Sequence, residues 1–401
     1  MDAIQALKSR SGHRLGKLRP VGSRVPAVGT NLCNVREMAW SGHYHTEFSG
    51  SGTAALSIAV AIAMAIADNR RPAHPEVILP AYGCPDLVAA IVAQGAKPIL
   101  VDLVPSSHCM DLDQVDLAIR PATIAVIGVG LLGVPERLER LSALCRRRGI
   151  VLIEDSAQCF PPASSERGWA DLVVLSFSRG KPVNLMGGGA LLVRRDLLNQ
   201  ARSTIEGFPI AGFELGLKWR LKRWLFNLLL NRIPYLFLEK LPGLNLGETR
   251  YRPLQRVQRM ALPEALVRAG VAQFNSRPVT HIGYVDGVQA LSCAGWSFLE
   301  EGESNTNCMP RNRFGILAPS NRQRDLAERC LNEAGIGASS FYRRILPDIG
   351  GIADCSGDGD FLNARNFADR LLTLPSHEDV TEADVARTND LLRALSRPSI
   401  S

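Results

Sequence analysis

From residue 77 to residue 193 the chain repeats one pattern: a short, uninterrupted apolar run, a turn, and a stretch with helical periodicity. The apolar runs fall at 77–79, 98–102, 124–128, 150–155, 171–176 and 191–193, with helices predicted over 86–94, 113–119 and 136–148. Strands without a polar face belong in a sheet covered on both sides, and strands joined through helices run parallel. The pattern therefore predicts an α/β fold built on a mostly parallel central sheet. In such sheets ligands bind at the carboxyl ends of strands, and Asp102, Asp155 and Ser176 all fall there.

The last two runs enclose the most unusual turn. Ser176-Phe-Ser-Arg-Gly-Lys181 follows one strand, and Gly187-Gly-Gly-Ala190 leads into the next. Consecutive glycines permit conformations that side chains resist and allow close approach of backbone or ligand. A partly desolvated lysine between core strands deprotonates readily and can attack a carbonyl to form a Schiff base. The competing reading is a strand-end lysine reaching out to water.

Upstream, Phe48-Ser-Gly-Ser-Gly-Thr53 opens into an alanine-rich run, apolar all round, over 54–67. That is the signature of a buried helix. Its glycine- and hydroxyl-rich start offers backbone N–H groups to an anion such as phosphate; simple capping by Ser51 or Thr53 is the alternative.

The nine cysteines include no C-x-x-C pair and no zinc spacing, so small buried thiols of a reduced, cytoplasmic protein are expected. A net charge of +7 comes from scattered arginines, which fits an acidic or phosphorylated small substrate and gives no support for nucleic-acid binding. No run is long enough for a spanning helix. Residues 1–45 read as an N-terminal arm, 46–204 as the large domain, 205–250 as a helical insertion and 251–401 as a helical linker with a smaller α/β domain. In the insertion, Leu217, Leu221, Trp224, Leu225 and Leu228 line one side of a helix flanked by Lys218, Arg220, Lys222 and Arg223. Such a helix can lie on a membrane or grip a partner; the expectation favoured here is a core-packed insertion with a solvated basic edge.

With these residues in view, the chain resembles the DegT/DnrJ/EryC1/StrS family of pyridoxal-phosphate aminotransferases. The resemblance rests on Ser51-Gly-Thr-Ala-Ala-Leu56, Gly95-Ala-Lys-Pro98 with Val101-Asp102, Glu154-Asp-Ser-Ala-Gln158, Ser176-Phe-Ser-Arg-Gly-Lys181 and Gly188-Gly-Ala190, closed by Leu371-Leu-Thr-Leu-Pro375 and Thr381-Glu-Ala-Asp-Val385. It implies the fold type I architecture of pyridoxal-phosphate enzymes, and it implies roles. Lys181 would carry the cofactor as a Schiff base and shuttle the proton. Asp155 would face the pyridine nitrogen and Gln158 the ring hydroxyl. Gly52, Thr53 and Ser176 would hold the phosphate. The family's ring-stacking aromatic is replaced by Cys84, with Tyr82 nearby as the other group able to cover the ring. Gly187 stands for the usual glutamate of the glycine loop, and Gln258-Arg-Met260 for an Asn-Tyr-Arg segment.

The resemblance implies a homodimeric aminotransferase that passes an amino group from an amino acid, glutamate by expectation, to a nucleotide-linked keto-sugar in polysaccharide or secondary-metabolite biosynthesis. Two other readings compete: a pyridoxal-phosphate enzyme of another reaction type, including one with a lipid-linked substrate, and a non-catalytic scaffold at a membrane. Lys181 argues against the scaffold, which needs no nucleophile.

Overall fold

The computed structural model describes residues 18–19, 21–27, 38–67, 74–239, 249–299, 309–352 and 359–396. Parts of the predicted arm (1–17, 20 and 28–37) and of the insertion (240–248) lie outside the described residues. Nine strands form the large sheet: β1 (Tyr44–Ser49), β2 (Glu76–Pro80), β3 (Lys97–Val101), β4 (Thr123–Val129), β5 (Val151–Asp155), β6 (Leu172–Ser176), β7 (Gly189–Arg194), β8 (Ile210–Ala211) and β9 (Arg259–Met260). Three more, β10 (Ser297–Phe298), β11 (Arg313–Leu317) and β12 (Leu371–Pro375), form a second, antiparallel sheet. The helices are α1 (Gly52–Ile66), α2 (Pro85–Val92), α3 (Leu112–Ala118), α4 (Leu138–Arg148), α5 (Leu198–Glu206), α6 (Leu217–Leu229) and α7 (Arg232–Glu239). After them come α8 (Glu264–Asn275), α9 (Ile282–Gln289), α10 (Asn321–Glu333), α11 (Leu362–Arg370) and α12 (Glu382–Ser396).

The large sheet runs β3-β2-β4-β5-β6-β7-β1-β9-β8, parallel from β3 through β6 and antiparallel at β7 and β1. Alternate side chains feed two cores. Val77, Leu79, Ile127, Ile153, Val174 and Leu191 pack with α1 on one face. Ile78, Val126, Leu152, Val173, Leu175 and Leu192 pack on the other with Leu266, Val267 and Phe274 of α8. Burial on both faces is what the uninterrupted apolar runs demanded. A third core around Tyr284, Phe314, Ile316 and Leu331 belongs to the small sheet.

Three features depart from the sequence reading. β1 lies partly inside the expected arm; its polar-rich YHTEFS is only half covered, so no apolar run announces it. The described arm residues are anchored rather than loose: Leu18 N–H bonds Gly335 O, and buried Arg19 pairs with Glu378 and Asp379. Finally, α6 has no buried residue at all, so the insertion is not core-packed through its apolar stripe.

Candidate functional site

The turn after β6 closes on its own backbone. Phe177 N–H bonds Gly188 O at 3.0 Å, and Phe177 O accepts from Leu185 N and Gly187 N. Distant segments then hold three consecutive carbonyls around the lysine. Asn312 Nδ2 donates to Gly180 O at 3.2 Å, Ser23 Oγ to Lys181 O at 3.3 Å and Arg277 Nη1 to Pro182 O at 3.4 Å. Arg277 also bonds Asn312 Oδ1 at 2.7 Å, bracing the brace. Lys181 itself is half-buried.

Asp155 ends β5 and is buried. Burial raises its pKa above the ordinary carboxylate value, while the Ala157 N–H at 2.9 Å and the charge of Lys181 pull it back. Lys181 acts likewise on Cys84, whose thiol burial pushes up to about 11. One ammonium is therefore felt by two of the other nominated groups.

At the start of α1, Ser51 Oγ accepts from Ala54 N and Ser51 O from Ala55 N. The first N–H groups of a helix have no partner within it, which leaves those of Gly52 and Thr53 for an anion. Gly52 lies against the end of β6: a Cβ there would stand 2.6 Å from Ser176 Cβ. The glycine loop closes the third side, since a Cβ on Gly189 would meet Gly52 N and Leu175 O at 2.7 Å. The capping and anion readings thus coexist, Ser51 capping while Gly52 faces Ser176. Thr53 departs from expectation, because its hydroxyl donates to Asp86 Oδ2 at 3.0 Å. Of the three consecutive glycines only Gly188 adopts positive φ, at 84°.

Gln158 and Cys84 meet at a residue that sequence reasoning missed. Gln158 Nε2 donates to Tyr342 Oη at 3.2 Å, and the same hydroxyl interacts with the Cys84 thiol. Tyr82 is a core group: its ring packs edge-on against Phe367 at 5.0 Å, and its hydroxyl accepts from Tyr342 N at 3.2 Å. Asp102 does not join the site. Its carboxylate accepts from Asn363 N and Ala364 N, capping α11.

A cavity of about 180 Å³ opens on the Lys181 side, walled by Arg179, Lys181, Gln158, Arg311, Arg313 and Phe341 among others. Among the described residues no carboxylate lines it. Burial lowers the Arg311 and Arg313 guanidiniums to about 10, which leaves both charged at neutral pH. Gly52, Thr53, Tyr82, Cys84, Asp155 and Ser176 lie off its wall; Asp155 and Cys84 are tied to it by the charge of Lys181, and Tyr82 and Cys84 contact Tyr342, the neighbour of wall residue Phe341. The two arginines had a faint signal, Arg311-Asn-Arg313 just ahead of an apolar strand. Tyr342 had none. Among the described residues no group of His, Cys, Asp and Glu could hold a metal ion.

Residues 36–214 match the family model described as the DegT/DnrJ/EryC1/StrS aminotransferase family. Over those residues the chain is similar to this family. The DegT/DnrJ/EryC1/StrS match covers the large sheet from β1 to β8 and stops short of the insertion helices and small sheet. Among curated proteins, the 3-oxo-glucose-6-phosphate:glutamate aminotransferase of Bacillus subtilis is 31% identical over 144 residues, 36% of this chain and 32% of that protein. The chain spans about a third of the length of the curated relatives it matches. Among solved structures, DesI with its TDP-sugar product is similar with TM-score 0.66 at 20% identity, covering 99% of this chain and 97% of that one. The PLP form of a sugar aminotransferase from Streptococcus pneumoniae is similar with TM-score 0.62 at 19% identity, covering 99% and 96%. Those two likenesses show the fold of the described residues, including those beyond the family match.

Proposed function

We propose that this protein is a pyridoxal-phosphate-dependent aminotransferase. It takes an amino group from an amino acid, glutamate first among candidates, and gives it to a keto-sugar carrying a phosphate or nucleotide. The observation that carries the reading is the charge coupling of Lys181 to buried Asp155 beside a helix start packed on Ser176. The B. subtilis relative is named for glutamate and a phosphorylated 3-oxo-glucose, and DesI is titled with a TDP-sugar.

The residues fit the cofactor. Gly52 leaves the first turn of α1 open where a side chain would collide with Ser176. When bound, pyridoxal phosphate supplies an aldehyde carbon and an electron-accepting ring. Lys181 Nζ would hold it, and the same amine would move a proton to and from the substrate carbon. Asp155, made more basic by burial, would hold a proton against the ring nitrogen. The phosphate would be held by Gly52 N–H, Thr53 N–H and Ser176 Oγ, while the Thr53 hydroxyl is on Asp86. Gln158 would orient the ring hydroxyl, with Tyr342 setting its amide. Cys84 and Tyr342 would be the groups beside the ring, since Tyr82 is taken up in the core. Arg179, Arg311 and Arg313 give the cavity its positive wall, suited to the carboxylates of the donor and the phosphates of the acceptor.

Two further parts belong to this reading: a homodimer, which rests on resemblance, and the division at 1–45, 46–204, 205–250 and 251–401, which rests on the pattern along the chain. The test is a half-reaction screen. Protein loaded with pyridoxal phosphate should acquire visible absorbance that glutamate, but not an amino acid lacking the second carboxylate, bleaches rapidly. Lys181→Ala should remain folded and give neither the absorbance nor turnover; turnover by that variant would end the proposal.

A further inference from the structure

Helix α6 carries two apolar faces. The inner one is used: Phe226 lies 5.8 Å beneath the guanidinium of Arg179, and Trp219 packs on Phe213 and the core of the large sheet. Asn227 fixes the rotation by a two-way bond to the arm, accepting from Val25 N at 2.9 Å and donating to Val25 O at 3.0 Å. On the far side, Leu217 is 83% exposed, Leu221 62%, Trp224 58%, Leu225 48% and Leu228 41%, so the helix has not turned its larger apolar stripe inward. At about 100° per residue those five fall within an arc of about 100°. In α7, Ile233 and Phe237 are exposed as well.

The chemistry at the edges of the stripe names its occupant. Lys218 and Lys222 flank one side and Arg220 the other, all exposed, and α6 contains no Asp or Glu. A second copy docked face to face would oppose these cations with their own duplicates. An anionic bilayer complements both features, taking the leucines and tryptophan into the acyl boundary and the cations among its headgroups. Thirteen residues span only about 20 Å, too short to cross. No helix among the described residues is long and apolar enough to do so.

We propose that the outer face of α6 docks this protein on an anionic membrane surface. The helix touches Arg179, and its C-terminal neighbour Leu230 packs near Gly22, beside Val21; Arg179 and Val21 both wall the Lys181 cavity. Docking therefore places α6 between the lipid surface and two residues of that cavity's wall. The inference stands independently of amino transfer.

The full chain should be floated with vesicles of phosphatidylcholine alone and with about 30% phosphatidylglycerol added, at low and high salt. The bound fraction should be roughly tenfold greater on the anionic vesicles at about 0.1 M salt and fall steeply as salt rises. Leu221→Glu with Leu225→Glu should lower it roughly tenfold with circular dichroism and pyridoxal-phosphate loading unchanged, since both side chains are already in water. Lys218→Glu with Lys222→Glu should abolish the preference for anionic lipid. Absence of capture by phosphatidylglycerol vesicles, or equal capture of wild type and the double-glutamate variant, would overturn the proposal. So would a dimer dissolved by the double-glutamate variant without any vesicle binding, which would assign the face to a second copy.

Discussion

Gln158 Nε2 and Tyr342 Oη lie 3.2 Å apart, joined by a hydrogen bond between groups 184 residues apart in the chain. It fastens the end of the large sheet to the loop before α11 at the wall of the lysine cavity. Tyr342→Phe keeps the ring packing on Tyr82 and removes only the hydroxyl. It should cost on the order of 1 kcal/mol in chemical denaturation. It should also weaken pyridoxal-phosphate retention severalfold by equilibrium dialysis, because the Gln158 amide loses its orientation. A tyrosine that serves packing alone would show no change in retention.

Gly52→Ala places a methyl 2.6 Å from Ser176 Cβ. Neither the helix start nor the strand end can yield freely, because Gly189 crowds Gly52 N from another side. The variant should lose about 1–3 kcal/mol of stability. Inorganic phosphate, which should protect the wild type from thermal unfolding, should protect the variant at least tenfold less well.

Asn312→Ala removes one of the three braces on the 180–182 carbonyls and leaves Arg277 Nη2 with its bond to Arg311 O alone. Since Asn312 donates to Gly180 O, one residue from the lysine, the effect should fall on turnover. A roughly tenfold loss in kcat with KM for the donor within twofold is expected, with visible absorbance retained. An unchanged kcat would show that the turn holds without this brace.

His108 is buried, with its pKa lowered to about 4 by desolvation, aided by the charges of Arg137 and Arg311. The unfolded chain binds this proton more tightly than the folded one. Stability from this group is therefore full above the ordinary value near 6.5 and is lost as pH falls toward 4. Buried Glu136, Glu154 and Asp155 have raised values and act in the opposite sense, so the whole protein's profile does not isolate the histidine. The difference between wild type and His108→Asn does. It should shift in favour of wild type by on the order of 3 kcal/mol from pH 4 to pH 6.5 and stay flat above, followed by urea melts.

By itself the sequence determined what depends on near neighbours. Apolar runs at 77–79, 124–128 and 150–155 could only be strands covered on both faces, and the helix start at Gly52 and the turn bearing Lys181 are local chain geometry. Tertiary structure decided what depends on partners far along the chain. Asp102 and Asp155 look alike at their strand ends, yet one caps α11 and the other faces Lys181, because only folding brings Asn363 N and Ala364 N to the first. Arg313 reaches the site from a second sheet, Arg311 from the segment leading into it and Tyr342 from the loop before α11, and no spacing in a linear chain encodes which side chains will meet there. The two apolar faces of α6 were equally eligible for the interior. Which one went inward was settled by Asn227 gripping Val25, a contact across 202 residues.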